Sequence, residues 1–476
     1  MKYLFINSVA GFGSTGRIAA EQCRGLMAQG HECVLAFGRE EANCSDIPTV
    51  RIGTPMDYRL HGAESRLLDD SGFGSRRATR RFLDWVREYD PDVIWLHNVH
   101  GYYIHLGELF TYLRGCGKTI FWTLHDCWSF TGHCAYFDYV GCDRWKTGCH
   151  DCPQKRAYPA SILLDNSRKN YEKKRELFTG IPNVTLIVPS HWLESRVKES
   201  FLRDYPVKVV YNTVNREIFK PTPGNFREKY GLENKIILLG VASVWDERKG
   251  LRDFLALHDL LDEEYAIVLI GLSAKQIQSL PAGILGLPRT NSVQELAEAY
   301  TAVDVFLNPS TEETFGMTVL EARCCGTETV VYQGTACEEV VSQFGGIAEG
   351  ERMGRIFGYV AERIIETQEE ADAARYDTQS RGYRRSDRRQ IAGRKDIGDY
   401  EWKDRPGSTR MDGRQIINAE DQFLLGYALP HSTGGIGNTF RYRNWTLNVY
   451  MDYALGHSVR NDMQMRYFQS TMGNCN

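Results

Sequence analysis

The chain has 476 residues, of which 42% are hydrophobic and 25% are charged, and its formal net charge is −4. This length suits two or three domains, and the balanced composition excludes a small disulfide-stapled peptide, a disordered chain and a collagen-like chain. The small net charge gives no reason to expect a nucleic-acid partner.

The sequence carries no recognisable signal for export or membrane insertion. No apolar run reaches the roughly 18 residues of a transmembrane helix, and the N-terminal apolar run lacks a small-residue cleavage site. We therefore expect a cytoplasmic protein that meets a membrane at most peripherally. Its 13 cysteines are then expected to be metal ligands or core thiols, and not a disulfide framework.

Residues 1–210 alternate short apolar runs with amphipathic stretches, the rhythm of parallel strands and crossover helices. Their unbroken apolar character is typical of strands that are buried on both faces of a sheet. The sequence therefore predicts a first Rossmann-like domain here, with candidate strands YLFIN, ECVLAF, DVIWLH, TIFWTLH, VTLIVPS and VKVVYN.

Residues 211–352 repeat the pattern, with candidate strands KIILLGVAS, YAIVLIG, VDVFLNPS and TVVY. In SVQELAEAYTAVD, the residues Val293, Leu296, Ala297 and Tyr300 recur at helical spacing. We predict an α/β protein with two Rossmann-like domains that face a cleft, where ligands bind at the carboxyl ends of the strands.

A glycine motif follows the first strand directly. Gly11, Gly13 and Gly16 form G-x-G-x-x-G, whose backbone amides can approach a phosphate at a helix start. NAD-binding chains also carry an acidic residue after the second strand, where this chain has Gly38 and Arg39. This disfavours an NAD-dependent oxidoreductase and leaves two interpretations open, a phosphate loop or a tight turn with close helix packing.

The segment NPSTEETFGMTVLE places two carboxylates around a predicted strand end. Glu313 is expected on the loop after the strand VDVFLNP, and Glu321 on the following helix, so that both face the cleft. The helix begins near Gly316, and its free amides and positive dipole end favour an anionic diphosphate. The alternative is that both acids are solvent-facing helix residues, as most glutamates are.

The pattern Glu313-x7-Glu321 followed by EARCCGT resembles the signature of retaining glycosyltransferases with the two-domain GT-B fold, the large family that includes sucrose synthase. Further similar pieces occur in the family's order from residue 1 to about 350: GSTGRIA, TLHDCWSFTGHC, VPSHWL, VVYNTVNREIF, ASVWDERKGL and GLPRTNSVQELAEAY.

The resemblance implies roles for the charged residues. Glu313 matches the acid that contacts the transferred sugar, and Glu321 matches the one that holds the ribose hydroxyls of the nucleotide. Lys249, with Arg248 beside it, matches the basic residue that neutralises the departing diphosphate, which removes the need for a catalytic metal. Without the neighbouring motif, this basic pair could equally be a solvated charge patch.

The resemblance also assigns His125 to the transferred sugar and Gly16 to the loop near the donor phosphate and the acceptor. His125 could alternatively be a hydrogen-bonded core histidine. Two positions depart from the family pattern: Ser243 stands where many relatives have arginine, and Glu328 stands where they have proline. We expect the second change to loosen a turn and leave the chemistry in place.

A cysteine cluster lies in GHCAYFDYVGCDRWKTGCHDCP and includes one C-x-x-C. Four thiolates in one loop can form a tetrahedral zinc site, and this segment resembles the same cysteine-containing insertion in relatives. The alternative is a reduced thiol cluster that packs a surface loop. The predicted structural zinc ligands are Cys134, Cys142, Cys149 and Cys152, with Cys127, His133 and His150 as spare candidates.

Residues 353–476 differ from the preceding residues in composition and hydrophobic pattern. Segments such as RGYRRSDRRQIAGRK have no core pattern, whereas NWTLNVYMDYALG alternates apolar and polar residues as an antiparallel strand does. From residue 354, GRIFGYVAERIIETQEEADA and GDYEWKDRPG resemble the late barrel region of TonB-dependent outer-membrane transporters that import glycans. We hypothesise that the chain joins a truncated transferase to an unrelated β-rich barrel fragment.

Together these features predict a metal-independent, retaining glycosyltransferase with no catalytic cofactor. It transfers a sugar from a nucleoside-diphosphate sugar to a glycan or lipid-linked acceptor in cell-surface polysaccharide synthesis, in the cytoplasm or at the inner face of the membrane. The alternatives are a fragment of a TonB-dependent transporter or a non-functional chimaera.

Overall fold

The computed structural model describes residues 1–344 and 347–348, and then the segments 355–358, 361–373, 376–377, 381–383, 390–392, 400–402, 410–411, 414–417, 423–427, 432–442 and 445–455. The chain divides into two compact units, Met1–Glu349 and Gly350–Asn476. The first unit contains two parallel sheets, and the described residues of the second form strand pairs and one three-stranded sheet.

Seven strands form the first sheet: β1 (Lys2–Ile6), β2 (Glu32–Phe37), β3 (Thr49–Arg51), β4 (Val93–Leu96), β5 (Thr119–Thr123), β6 (Val184–Val188) and β7 (Val207–Val209). Their order is β3-β2-β1-β4-β5-β6-β7, and every pair is parallel. The helices of this part are α1 (Gly13–Ala28), α2 (Pro55–Leu68), α3 (Arg76–Tyr89), α4 (Leu106–Gly115), α5 (Ser167–Phe178) and α6 (His191–Glu199).

Six strands form the second sheet: β8 (Ile236–Val241), β9 (Tyr265–Ile270), β10 (Ile284–Leu287), β11 (Val305–Asn308), β12 (Glu328–Val331) and β13 (Ile347–Ala348). Their order is β10-β9-β8-β11-β12-β13, again all parallel. The helices are α7 (Phe226–Tyr230), α8 (Leu251–His258), α9 (Ala274–Gln278), α10 (Val293–Ala302), α11 (Met317–Cys324) and α12 (Ala336–Phe344).

The strands are buried on both faces, as their continuous apolar runs predict. Leu4, Phe5 and Ile6 of β1 are all at most 1% exposed although alternate residues point to opposite faces. Helices α1, α6 and α11 pack against β2, β6 and β11. In such folds the loops at the carboxyl ends of the strands carry the functional residues. The predicted α/β fold with two Rossmann-like sheets is confirmed.

Three strands of the two parallel sheets, β3, β10 and the two-residue β13, were not predicted from the sequence. β3 has only three residues, and β10 contains Gly286, so neither presents the long apolar run that identifies the other strands. Both lie at sheet edges, where β2 and β9 supply the pairing partner. Pairing to an existing strand therefore decides their conformation.

The second unit has the strands β14 (Arg355–Gly358), β15 (Ala361–Ile364), β16 (Tyr376–Asp377), β17 (Arg381–Tyr383), β18 (Gln390–Ala392), β19 (Tyr400–Trp402), β20 (Arg410–Met411), β21 (Arg414–Ile417), β22 (Phe423–Tyr427), β23 (Ser432–Tyr442) and β24 (Trp445–Leu455), with one helix, α13 (Gln368–Ala373), among its described residues. β23 and β24 form an antiparallel pair, as the alternation in NWTLNVYMDYALG predicts. Much of the segment that resembles TonB-dependent transporters lies outside the described residues.

Candidate functional site

The loop between β11 and α11 carries the first predicted carboxylate. It begins at Pro309, directly after β11, and ends at Gly316, which precedes the first residue of α11. Glu313 therefore lies at the carboxyl end of a central strand and Glu321 lies within α11, as the sequence predicts. Both are buried, at 8% and 6% exposure, so the alternative of solvent-facing helix acids is wrong.

Glu313 lies between two cations. Its Oε1 forms an ion pair with Lys249 Nζ, and its Oε2 lies 3.8 Å from an Arg248 guanidinium nitrogen. Burial by itself raises the pKa of this carboxyl, but the two positive charges outweigh that effect and hold the pKa below its ordinary value. Glu313 is therefore a buried and charged carboxylate.

Arg248 and Lys249 reach Glu313 because a tight turn holds them against the loop. The Arg248 backbone oxygen accepts a hydrogen bond from Thr311 N at 3.0 Å. Gly250, the next residue, has φ of 71°, and a Cβ there would lie 2.5 Å from the Pro309 carbonyl oxygen. Only glycine permits this close approach, which explains why a glycine follows Lys249 directly.

Arg248 is 8% exposed, which argues against a solvated charge patch. Its guanidinium donates to the Glu312 backbone oxygen at 2.8 Å and lies 3.9 Å from the centre of the Tyr136 ring. Tyr136 belongs to the cysteine-containing segment of the first sheet domain. Arg248 is thus held from both sheet domains, by a carbonyl and by a cation–π contact.

Glu321 occupies a different environment. Tyr300 donates a hydrogen bond from its hydroxyl to Glu321 Oε2 at 3.3 Å. Burial raises the pKa of Glu321 to about 7, and the charge of Arg17 opposes the rise. Arg17 is exposed on α1, within the GSTGRIA motif, so the charge that acts on Glu321 comes from the glycine-rich segment.

The two predicted glycines have distinct structural roles. Gly316 has φ of 95°, and a Cβ there would lie 2.5 Å from Cys337 Sγ, so a side chain at the start of α11 is excluded. Gly16 lies in α1, and its carbonyl oxygen accepts a hydrogen bond from Gly11 N at 3.2 Å. The first motif is therefore a tight turn with close helix packing, and this geometry remains compatible with a phosphate loop.

His125 follows β5 and lies next to the same loop. Its Nε2 lies 2.9 Å from His97 Nδ1, and the two rings stack at 5.2 Å. Burial lowers the pKa of His125 to about 4, so the imidazole is neutral at physiological pH. Its backbone oxygen accepts from Thr314 Oγ1 at 2.8 Å, which places it beside the residue that follows Glu313.

Sequence reasoning missed Glu312, which has no exposed surface. Its carboxylate accepts hydrogen bonds from the backbone nitrogens of Phe137 at 3.0 Å and Tyr139 at 3.3 Å. Burial raises its pKa to about 7, although these two amides oppose the rise. The sequence signal for Glu312 was its position next to Glu313. The pattern Glu-x7-Glu includes only Glu313 of these two residues, so Glu312 was passed over.

The four predicted zinc ligands gather in one place. The Cys134 and Cys152 thiols form a hydrogen bond that lowers the pKa of Cys152 to about 7, while Cys149 Sγ accepts from Gly132 N at 3.2 Å. Even so, no group of three or more His, Cys, Asp and Glu side chains in the described part of the chain has an arrangement that could hold a metal ion. To hold zinc, these thiols have to turn toward a common point.

The remaining residues singled out in the sequence make their own local contacts. His133 Nδ1 lies 2.5 Å from Asp69 Oδ1, and its Nε2 has no hydrogen-bond partner among the described residues. Ser243, where relatives have arginine, is exposed just after β8. Glu328 lies in β12 and forms an ion pair with Arg323 at 3.2 Å, so it is remote from the loop chemistry.

The comparisons with known proteins define the class. Residues 15–218 match the model "Glycosyltransferase Family 4", and residues 234–353 match "Glycosyl transferases group 1". Sucrose-phosphate synthase from Thermosynechococcus elongatus has a similar fold, with a TM-score of 0.54 and 15% identity, over 73% of this chain and 85% of that one. Anabaena HepE in complex with UDP-glucose gives a TM-score of 0.50 at 15% identity, over 74% of this chain and 86% of that one.

The fold is therefore that of the GT-B glycosyltransferases. Residues 15–218 and 234–353 thus match two glycosyltransferase models, the first named for family 4 and the second for group 1.

Two curated relatives cover part of this region. The colanic acid biosynthesis glycosyl transferase WcaC of Escherichia coli is 35% identical over 30% of this chain and 35% of its own length. The alpha-galactosylglucosyldiacylglycerol synthase of Streptococcus pneumoniae is 32% identical over 29% of this chain and 41% of its own length. The chain thus spans less than half the length of these relatives.

Proposed function

We propose that this chain transfers a sugar, with retention of anomeric configuration, from a nucleoside-diphosphate sugar to a hydroxyl of a glycan or lipid-linked acceptor. The observation that carries the proposal is the buried Glu313 carboxylate, held charged by Lys249 and Arg248 at the carboxyl end of β11. A charged acid and two cations beside a helix start suit a donor with hydroxyls at one end and a diphosphate at the other.

In the proposed reaction, the bond between the anomeric carbon and the diphosphate oxygen breaks, and a bond from that carbon to the acceptor oxygen forms. The proton of the acceptor hydroxyl passes to the departing diphosphate. Lys249 and Arg248 stabilise the charge that develops on the leaving group, together with the amides at the start of α11, so no metal ion is required. Glu313 accepts hydrogen bonds from the hydroxyls of the transferred sugar.

Glu321 and His125 complete the proposed donor site. Glu321 holds the ribose hydroxyls of the nucleotide, and the Tyr300 hydroxyl orients its carboxylate. His125 is neutral, and its Nε2 contacts His97 Nδ1. It can therefore donate one hydrogen bond to the sugar, or accept one from it, without adding charge to the site. Gly16 leaves room for the donor phosphate and the acceptor near α1.

The relatives support a setting in cell-surface polysaccharide or glycolipid synthesis. WcaC is named for colanic acid biosynthesis, and the streptococcal relative is named for the synthesis of a glycosyl diacylglycerol. HepE was solved with UDP-glucose, which supports a nucleoside-diphosphate-sugar donor. The same proposal places the enzyme in the cytoplasm or at the inner face of the membrane.

The test is nucleotide release from a panel of donors, UDP-glucose, UDP-galactose and GDP-mannose, with and without EDTA. We expect release from at least one donor, no effect of EDTA, and at least a hundredfold loss in Glu313→Gln. Glu247→Gln, an exposed glutamate beside the basic pair, is the matched control and should retain full activity. Absence of turnover with every donor, or equal loss in both variants, contradicts the proposal.

A structural zinc ion at Cys134, Cys142, Cys149 and Cys152 stays a prediction. It is tested by metal analysis of the purified chain, where we expect about one zinc per chain and its loss in Cys149→Ser. Cys116→Ser, a half-buried thiol outside the cluster, is the control. Metal-free wild-type protein with unchanged thermal stability contradicts the prediction.

The resemblance of residues 354–476 to a TonB-dependent transporter, and the chimaera hypothesis, also stay predictions. Amplifying and sequencing source DNA across the codons for Gly346 to Gly358 tests them. If the join is found and the full chain is expressed, the chain is a real fusion. If the join is not found, the two segments belong to separate proteins.

A further inference from the structure

The outer face of α2 is apolar, which reverses the usual arrangement of a surface helix. Met56, Leu60 and Leu67 recur at spacings of four and seven residues and so share one helix face. They are 60%, 62% and 45% exposed, whereas His61 and Ser65 of the same helix are each 1% exposed. In a soluble protein, helices normally bury the apolar stripe and expose the polar one.

A second segment extends this apolar face. Ile162, Leu163 and Leu164 are consecutive and are 65%, 63% and 46% exposed. Hydrogen bonds join the segment to the end of α2, from Ile162 N to the Arg66 oxygen at 2.7 Å and from Leu164 N to the Leu67 oxygen at 3.3 Å. The docking face is defined as these two adjoining surfaces: Met56, Leu60, Leu67, Leu68, Ile162, Leu163 and Leu164.

Cations surround the docking face. Arg59 and Arg66 are exposed on α2, and Arg156 is exposed near the leucine segment. None of the three forms an ion pair with any residue that the structure describes, unlike most arginines of α3. Two acids nearby are engaged: Asp57 caps α2 at Thr54, and Asp165 accepts a hydrogen bond from Cys152 N. Glu64 is an exposed acid on α2 that partly offsets this positive rim.

We propose that the docking face binds the surface of an anionic phospholipid bilayer. The aliphatic side chains enter the boundary between headgroups and acyl chains, and Arg59, Arg66 and Arg156 contact the lipid phosphates. The charge decides between occupants: the three arginines Arg59, Arg66 and Arg156 outnumber the exposed acid Glu64, so this face is net positive. A net positive face attracts anionic headgroups and repels a second copy of itself.

The docking face is connected to the candidate site. Tyr158 lies in the same loop as the leucine segment, and its hydroxyl lies 3.2 Å from His100 Nδ1. His100 Nε2 lies 2.9 Å from Asp126 Oδ2, and Asp126 follows His125. If the proposed transferase function holds, an acceptor with a lipid anchor reaches the cleft at the edge where the protein meets the membrane.

The experiment is co-sedimentation of the full chain with vesicles of phosphatidylcholine alone or mixed with phosphatidylglycerol. We expect binding to the mixed vesicles that weakens as salt is raised, and at least a tenfold loss for Ile162→Ser/Leu163→Ser. Arg59→Gln/Arg66→Gln should reduce binding to mixed vesicles toward the level seen with phosphatidylcholine. Leu260→Ser removes a leucine that is 82% exposed in the other sheet domain and should leave binding unchanged.

Thermal unfolding of each variant checks that folding is retained. The proposal is overturned if wild-type protein does not bind mixed vesicles, if Leu260→Ser loses binding equally, or if Ile162→Ser/Leu163→Ser only abolishes a dimer seen by ultracentrifugation. Nucleotide release from soluble donors separates the two proposals. Vesicle binding without turnover contradicts the transferase function, and turnover without vesicle binding contradicts the docking face.

Discussion

Glu312 and Glu313 are adjacent in the chain, yet their carboxylates are stabilised in different ways. Glu313 faces Lys249 and Arg248, and its pKa lies below the ordinary value despite burial. Glu312 faces the backbone amides of Phe137 and Tyr139, and burial raises its pKa to about 7. One carboxylate belongs to the charged cluster of the second sheet domain, and the other joins that domain to the first.

The Glu312 carboxylate makes stability depend on pH. Its pKa in the folded state exceeds the ordinary value of 4.5, so the folded chain holds the proton more tightly than the unfolded chain. Its contribution to stability is complete below pH 4.5 and is lost as the pH rises through about 7. As the pH rises over this range, we expect the free energy of unfolding of Glu312→Gln to increase relative to that of wild type, by about 3 kcal/mol at most.

Urea unfolding at pH 5 and pH 8 measures this difference. Glu366→Gln, which changes an exposed glutamate, is the control and should follow wild type at both pH values. An identical pH dependence in Glu312→Gln and wild type contradicts the assignment.

Glu321→Ala should abolish donor turnover and leave the fold intact. Removing the carboxylate deletes the hydrogen-bond acceptor for the ribose but leaves Tyr300, whose hydroxyl can bind water in the space created. Nucleotide release measures the activity, and circular dichroism checks the fold. The control is Glu328→Ala, which removes only an ion pair with Arg323 at the surface of β12 and should keep full activity. Unchanged turnover in Glu321→Ala would reject the role of Glu321 in the donor site.

Gly250→Ala should reduce turnover at least tenfold by pushing Lys249 away from Glu313. The added Cβ would lie 2.5 Å from the Pro309 oxygen, so the turn has to move. Gly231→Ala is a matched control, because Gly231 has φ of 66°, close to the 71° of Gly250, and no heavy atom within 4 Å of an added Cβ. Both variants lose about 1 kcal/mol of stability from backbone strain. Comparable activity in the two variants contradicts the positioning of Lys249 by this turn.

Lys174→Met should destabilise the chain by about 1–3 kcal/mol. Lys174 is 1% exposed and donates hydrogen bonds to the backbone oxygens of Trp128 at 2.8 Å and Thr131 at 3.1 Å. Methionine fills the space but leaves these two carbonyls without their donor. Denaturant unfolding measures the loss, and Lys169→Met, an exposed position on the same helix, should cost less than about 0.5 kcal/mol. Equal effects of the two substitutions contradict this role.

Sequence alone determined the two parallel sheets and the place of the charged loop. Strands buried on both faces are continuous apolar runs, and residues that follow them lie at one edge of a sheet. The places of Glu313, after a strand, and Glu321, in the next helix, therefore follow from the sequence. Local pattern is enough for this because most of these strands and helices are encoded within a few neighbouring residues; β3 and β10, whose conformation depends on pairing, are exceptions.

Tertiary structure alone decided which side chains meet. The contact of Thr314 with His125, the amides of Phe137 and Tyr139 on Glu312, and the approach of Arg17 to Glu321 all join residues that are far apart in the chain. No spacing encodes them, because they depend on how two sheet domains pack. The protonation of each buried carboxyl follows from these contacts, since burial and neighbouring charges act through space and not along the sequence.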